Sequence, residues 1–325
     1  MQPRSELISQ LKRPAIDVRQ LRKTYPGGVE AVKGIDFDVA AGEVFGLLGP
    51  NGAGKSTTLG MLTTTIAPSG GSARVAGFDV ASEPLAARRA SSVVFQDSVV
   101  DRALTGRRNL TIHGRLWRVE RAEATRRIGE LAETLGLAEL LDRPVAGYSG
   151  GERRRLEIAR ALVSQPEVLF LDEPTVGLDP RIRHELLDVI GRLRDRNQMT
   201  ILLTTHYLDE AERLCDRIAI IHAGQIVALD TPGQFLAGLG RELVELRVSG
   251  NAETALASLR THGIAGADAF TVGSTLTVPL HDRPAAHAIA AIQSIDLGVS
   301  AIGSRRPTLD DVYLRLTGAR FAEAA

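Results

Sequence analysis

The chain has 325 residues, 44% hydrophobic, 24% charged and 4% aromatic, which predicts one large or two ordinary globular domains with a sizeable buried core. Its 39 Lys and Arg balance 39 Asp and Glu, so no overall charge draws it to nucleic acid or acidic lipid. One cysteine, Cys215, excludes an internal disulfide and a thiolate metal cluster and fits a reducing cytosol; no apolar run approaches the roughly 18–20 residues that span a bilayer, and residues 1–14 carry no signal-peptide core, so export of the chain is not expected.

Residues 1–14 read as an N-terminal extension. From 15 the pattern is β-rich, with short strands expected over Ala15–Leu21, Gly34–Val39 and Glu43–Leu48 between Gly/Pro turns. From Gly49 to about Asp230 apolar strands alternate with helices, with strands expected at Val93–Phe95, Val168–Leu171 and Thr200–Thr204, which predicts a parallel α/β core. The Arg-rich stretch from about 101 to 145 reads as solvated helix faces carrying i,i+4 charge pairs. Thr231-Pro232-Gly233 punctuates the chain. After about 241 the expected order is strand (Leu243–Val248), helix (Ala252–His262), a hairpin around Gly273-Ser274, helix (Pro284–Ile295) and strand (Val299–Gly303), a ferredoxin-like β-α-β-β-α-β unit.

Gly49-Pro50-Asn51-Gly52-Ala53-Gly54-Lys55-Ser56-Thr57 follows an apolar strand and opens a helix, the context required of a phosphate-binding loop. Its glycines let backbone N–H groups turn inward onto phosphate oxygens. Lys55 is suited to the β- and γ-phosphates and the Ser56 hydroxyl to Mg2+. Val168–Leu171 ends in Asp172-Glu173. By itself an acidic pair after a strand is commonly a helix cap or a solvated turn; behind a phosphate loop, Asp172 suits Mg2+ through water and Glu173 suits the attacking water.

Tyr148-Ser149-Gly150-Gly151-Glu152 opens an amphipathic helix 21 residues before Asp172, counted from Gly151, and is a second anion-binding N-terminus. With it the sequence resembles the ATP-binding cassette (ABC) ATPases. The resemblance implies a P-loop NTPase cassette over 15–240, with a β-rich subdomain, a parallel-sheet core and a helical subdomain at about 101–162, followed by a small α/β domain over 241–325. It also implies that Ser149, Gly150 and Gly151 bind the ATP held by a partner subunit, that Tyr25 stacks on adenine, and that Gln96 touches Mg2+ and the attacking water. Asp179, in Gly177-Leu178-Asp179-Pro180, falls in the loop that communicates between subunits, and His206, 34 residues beyond Asp172, in the position that contacts the γ-phosphate.

Tyr148 stands where the family usually has Leu and Glu152 where it usually has Gln; an acidic side chain near a polyphosphate is unfavourable unless it points away or pairs with Arg153–Arg155. Together with Arg306–Gly318, whose LDDVYL core reads as an amphipathic helix capping the small domain or a dimer interface, these features resemble the daunorubicin-resistance branch of drug exporters. The resemblance implies a homodimeric, ATP- and Mg2+-dependent ATPase subunit, peripheral on the cytoplasmic face of the membrane, that powers a separate transmembrane permease and has no nucleic-acid partner. A soluble non-transport ABC ATPase and an importer subunit are the alternative readings. His113, His184, His222, His262, His281 and His287 have no metal-ligand spacing and receive no role.

Overall fold

A computed structural model describes residues 13–318. The expected N-terminal extension, residues 1–14, therefore lies almost wholly outside the described residues, as does the end of the chain from 319. The chain forms two compact units that meet in sequence between Val227 and Ala228.

The first unit opens on an antiparallel sheet of order β2-β1-β4-β5, made of β1 (Ile16–Tyr25), β2 (Val29–Val39), β4 (Gly70–Val75) and β5 (Phe78–Asp79). β1 and β2 run longer than their alternation suggests. At Gln20 the backbone turns to φ 46° and the register with β2 shifts between Val18 and Leu21. That bulge breaks the period-2 pattern while pairing continues beyond it.

The second sheet has the order β10-β9-β3-β8-β7-β6, built from β3 (Val44–Leu48), β6 (Ser91–Val94), β7 (Val168–Asp172), β8 (Thr200–Thr205), β9 (Arg217–His222) and β10 (Gln225–Asp230). From β9 across to β6 every pairing is parallel. Every residue of β3, β7 and β8 is buried, as expected of strands covered on both faces, whose apolar runs do not alternate. Helices α1 (Lys55–Leu62), α2 (Pro84–Ala90), α6 (Pro180–Asn197) and α7 (Leu208–Leu214) connect the strands. Cys215 lies just past the end of α7 and is buried against Gly46, where an added Cβ would sit 2.7 Å from its sulfur.

Between β6 and β7 the chain forms α3 (Gly106–Leu116), α4 (Arg121–Thr134) and α5 (Gly150–Leu162). Arg121 and Arg126 of α4 lie on the solvated face their spacing predicts, whereas Arg127 is largely buried and donates to the Val163 carbonyl at 2.8 Å. Arg126 pairs with Glu123 and Glu130, and Arg127 with Glu123, at 2.6–2.7 Å.

The second unit contains α8 (Pro232–Ala237), β11 (Glu242–Val248), α9 (Ala252–Thr261), β12 (Phe270–Val272), β13 (Thr275–Leu280), α10 (Ala285–Gln293), β14 (Val299–Arg305) and α11 (Leu309–Thr317). Its antiparallel sheet, β12-β13-β11-β14, has the ferredoxin-like order. Val244, Leu246 and Val248 face Leu256, Leu259, Ala288 and Ile292 to form its core. In the LDDVYL helix α11, Leu309, Val312 and Tyr313 are buried and Arg305 clasps Asp311 at 2.7 Å. Arg315 donates to the carbonyl of Gly238 at 2.9 Å, and Leu316 of the same helix is exposed.

Candidate active site

Four chemistry-bearing segments leave the carboxyl ends of parallel strands at one edge of the six-stranded sheet: the glycine loop after β3, Gln96 after β6, Asp172-Glu173 at β7 and His206 after β8. This is the edge at which open parallel sheets bind ligands. The loop after β3 requires glycine at two points: a Cβ on Gly49 would lie 2.4 Å from the Ile221 carbonyl oxygen, and Gly54, at φ 106°, would place one 2.6 Å from that of Ala31. No other residue follows this path. The loop delivers the N-terminus of α1, whose first N–H groups have no intrahelical acceptor, the arrangement that suits an anion.

Lys55 begins that helix and is only 4% exposed. Its Nζ donates to the carbonyls of Gly49 at 2.7 Å and Pro50 at 3.1 Å and lies 3.2 Å from Glu173 Oε1. Burial pulls the ammonium below its usual pKa, and the carboxylate of Glu173 opposes that shift. Glu173 has φ 43°, a left-handed conformation rare outside glycine. It is held there from β8, because its N–H donates to the Thr204 carbonyl at 3.2 Å and to Thr204 Oγ1 at 3.1 Å. The Thr204 hydroxyl in turn donates to Asp172 Oδ1 at 2.6 Å. Burial pushes the Asp172 carboxyl up, and that hydrogen bond and Lys55 pull it back. His206 Nδ1 is 3.1 Å from Glu173 Oε2, within ion-pair distance though not aligned as a hydrogen bond.

These groups border a cavity of about 460 Å3 lined by Asn51, Gly52, Gly54, Lys55, Ser56, Thr57, Gln96, Glu173 and His206, with Ala31 and Val176. Gly49 and Pro50 serve it through the carbonyls that hold Lys55, and buried Ala53 packs beneath the loop. Tyr25 stands at the end of β1 with its hydroxyl 3.4 Å from Thr57 Oγ1. Ser149, Gly150 and Gly151 are not among the lining residues. The two glycines pack against the chain's own segment around Asp179: an added Cβ on Gly150 would lie 3.4 Å from Leu178, in the loop before α6, and one on Gly151 2.5 Å from Ile182, in the first turn of α6. Asp179 caps α6, accepting from the Ile182 N–H at 3.1 Å.

The ABC transporter family model matches residues 32–176. The chain is 43% identical, over 94% of its own length and 92% of the other, to the daunorubicin/doxorubicin resistance ATP-binding protein DrrA of Streptomyces peucetius. It belongs to the ABC ATPases. It is 38% identical to the Nod factor export ATP-binding protein I of Rhizobium meliloti, over 94% of this chain and 88% of that one. Among solved structures it resembles cbiO1 from Clostridium perfringens, part of the ABC transporter complex cbiONQ, with a TM-score of 0.65 and 27% identity over 70% of this chain and 92% of that one. The protein is thus an ATP-binding, ATP-hydrolysing ABC subunit.

The signature of this ABC ATPase resolves the question of its acidic residue. Ser149 is the N-cap of α5 and Glu152 is its N3 residue. Glu152 Oε2 accepts from the Ser149 N–H at 2.7 Å, while the Glu152 N–H donates to Ser149 Oγ at 3.3 Å. The carboxylate is folded back onto its own helix terminus, and the backbone hydrogen bond from Ser149 holds it below the usual carboxylate range. The S-x-x-E spacing carries this reciprocal cap and accepts Glu or Gln alike. We therefore expect Glu152→Gln to keep ATP turnover within about threefold of wild type, whereas Glu152→Ala loses about 1 kcal/mol and lowers the thermal midpoint by a few degrees. A loss of turnover above tenfold in Glu152→Gln would reveal a direct role for the carboxylate. Tyr148 is buried, its hydroxyl donating to the Leu140 carbonyl. It packs against Gly106, where an added Cβ would lie 2.5 Å from the phenol oxygen.

Sequence reasoning missed three buried polar side chains around the site. Thr204 was visible only as a hydroxyl in an apolar strand. Glu210, on α7, is fully buried and accepts from the hydroxyls of Thr175 and, at 2.8 Å, Thr205, so it joins the segments that follow Glu173 and precede His206. Arg154 is the third. The run Arg153–Arg155 was read as possible partners of Glu152, and nothing in it set Arg154 apart as the one that turns inward to the carbonyls of Asp172, Glu173 and Pro174.

Proposed function

We propose that two copies of this subunit close over two ATP molecules, each phosphate loop facing the partner's Ser149-Gly150-Gly151, and that this cycle drives a separately encoded transmembrane permease exporting a drug-, antibiotic- or lipid-like molecule. The observation that carries the reading is the single cavity that joins Lys55, Ser56, Gln96, Glu173 and His206 while the signature turn stands apart from it. A cavity furnished on one side supports completion by a second copy. ATP moves the dimer between open and closed forms only by its difference in affinity for the two. No described helix is long and apolar enough to cross a membrane; in this reading the subunit sits on the cytoplasmic face through its contact with the permease. The resistance and export roles named for the relatives favour an exporter over an importer or a soluble ABC protein.

In this reading the phosphate tail follows the N–H groups of the loop and takes over the Lys55 ammonium from Glu173, while Tyr25 stacks on the adenine and Asp179 communicates with the partner. The freed Glu173 carboxylate accepts the proton of the attacking water as its oxygen bonds to the γ-phosphorus and the bond to the ADP oxygen breaks. His206 donates to the γ-phosphate, and Gln96 orients the water. The oxygen donors fit a hard cation shared with phosphates: Ser56 and Gln96 border the cavity, buried Asp172 stands behind it for contact through water, and among the described residues no cluster of three His, Cys, Asp or Glu could cage a metal alone. Mg2+ held there would neutralise charge developing on the phosphates.

The test is to solubilise tagged Glu173→Gln protein with ATP from its native membranes in mild detergent and identify what copurifies. A multispanning membrane protein is expected. Recovery of ribosomes, nucleic acid or soluble protein alone would sink the transport reading.

A further inference from the structure

Arg154 lies on α5, five residues beyond Ser149, with its side chain 8% exposed. A guanidinium has five N–H donors in a rigid fork, and the described contacts employ the whole fork. Nε donates to the carbonyl of Pro174 at 2.7 Å, and Nη2 to those of Asp172 at 3.0 Å and Glu173 at 3.3 Å. Nη1 donates to the carbonyl of Phe95 and, at 2.9 Å, to Glu157 Oε2. Three of the four carbonyls belong to the consecutive residues 172–174, and the fourth to the residue before Gln96.

We propose that Arg154 is a positioning residue for ATP hydrolysis. It holds Glu173 in the left-handed backbone conformation that aims its carboxylate at the cavity, and it ties that segment and the Gln96 strand to the helix beginning at the signature turn. The inference rests on the reading above that Glu173 is the base. Thr204 grips the Glu173 N–H from one side and Arg154 grips its carbonyl from the other, so the peptide units flanking the strained φ are both pinned. Glu157, one turn along the same helix and 3% exposed, supplies the charge that makes a buried guanidinium tolerable. Lysine, a point charge without the fork, could not span strand ends and carboxylate together. Because α5 starts at the turn expected to meet the partner's ATP, a shift of this helix reaches Glu173 and Gln96 through one side chain.

The experiment compares Arg154→Lys, Glu173→Gln and the double variant in the full-length protein, measuring ATP affinity, turnover and single-turnover hydrolysis of labelled ATP. Arg154→Lys should lower kcat about 10- to 100-fold, the scale of a small misplacement at the reacting centre, with ATP affinity within about twofold of wild type. In the Glu173→Gln background its effect on the residual rate should be at least several-fold smaller, because the base it positions is gone and only its hold on the Gln96 strand is left. An equal loss in both backgrounds, or Arg154→Lys turnover within threefold of wild type, overturns the proposal. If Arg154→Lys does not fold, as judged by circular dichroism, the volume-filling pair Arg154→Met/Glu157→Leu replaces it with the same expectations. Wild-type-like turnover of Glu173→Gln alone would remove the base assignment and the proposal with it. An inactive Glu173→Gln beside an active Arg154→Lys would remove only the positioning role.

Discussion

Glu173→Gln should bind ATP at least as tightly as the wild type and hydrolyse it about 10²–10⁴-fold more slowly, the range supplied by a positioned general base. The amide is nearly isosteric, so the Thr204 and Arg154 contacts, which reach the backbone of Glu173, are unaffected. What disappears is the carboxylate, 7% exposed and 3.2 Å from Lys55, that in the proposed mechanism takes the proton of the attacking water. Its negative charge also competes with the phosphates for Lys55, and its removal favours the triphosphate. A closed, ATP-loaded dimer should therefore accumulate, seen by light scattering as a doubling of mass with ATP and Mg2+. A variant that turns over within tenfold of wild type would move the base elsewhere, with His206 the nearest candidate. A variant that stays monomeric with saturating ATP would refute the sandwich for the isolated subunit.

Lys55→Gln should reduce kcat/KM for ATP by about 10²–10³-fold, the cost of removing one preorganised charge from a water-poor site. The amide can reach the carbonyls of Gly49 and Pro50 that now hold Nζ, so the loop keeps its path, but no cation remains for the β- and γ-phosphates. The substitution also removes the cation beside the buried Glu173 carboxylate and leaves it His206 Nδ1 at 3.1 Å. A buried charge without its partner is costly. The Lys55→Gln/Glu173→Gln double variant should therefore recover much of the thermal stability lost in Lys55→Gln and none of the ATP affinity. Differential scanning fluorimetry and nucleotide titration separate the two. Recovery of affinity in the double variant would mean that Lys55 serves chiefly to neutralise Glu173.

Much of the site was legible because its chemistry demands short, contiguous patterns. The loop from Gly49 to Thr57 requires glycines where a Cβ would strike Ile221 or Ala31, and the acidic pair requires a fully buried strand before it. Such constraints act between near neighbours and leave their marks in order along the chain. The β-α-β-β-α-β succession of the second unit was legible for the same reason, since its alternation and turns are local. β1 was shortened in reading because the bulge at Gln20 is sustained by pairing to β2, a partner its own alternation does not reveal.

Sequence by itself determined the class of chemistry: a phosphate loop, an acidic strand end, a glutamine, a histidine and a second glycine turn opening a helix, each recognisable from its own segment. Tertiary structure decided which of these meet. Parallel pairing of β3, β6, β7 and β8 brings residues as far apart as Lys55 and His206 to one cavity, and it leaves the signature turn outside. It also decided the direction of side chains whose identity alone was ambiguous. Glu152 turns back to cap its helix and Arg154 turns inward to four carbonyls, because a hydrogen bond is won by the group that folding places within about 3 Å in the right orientation, and neighbours from distant segments have no signature in local sequence.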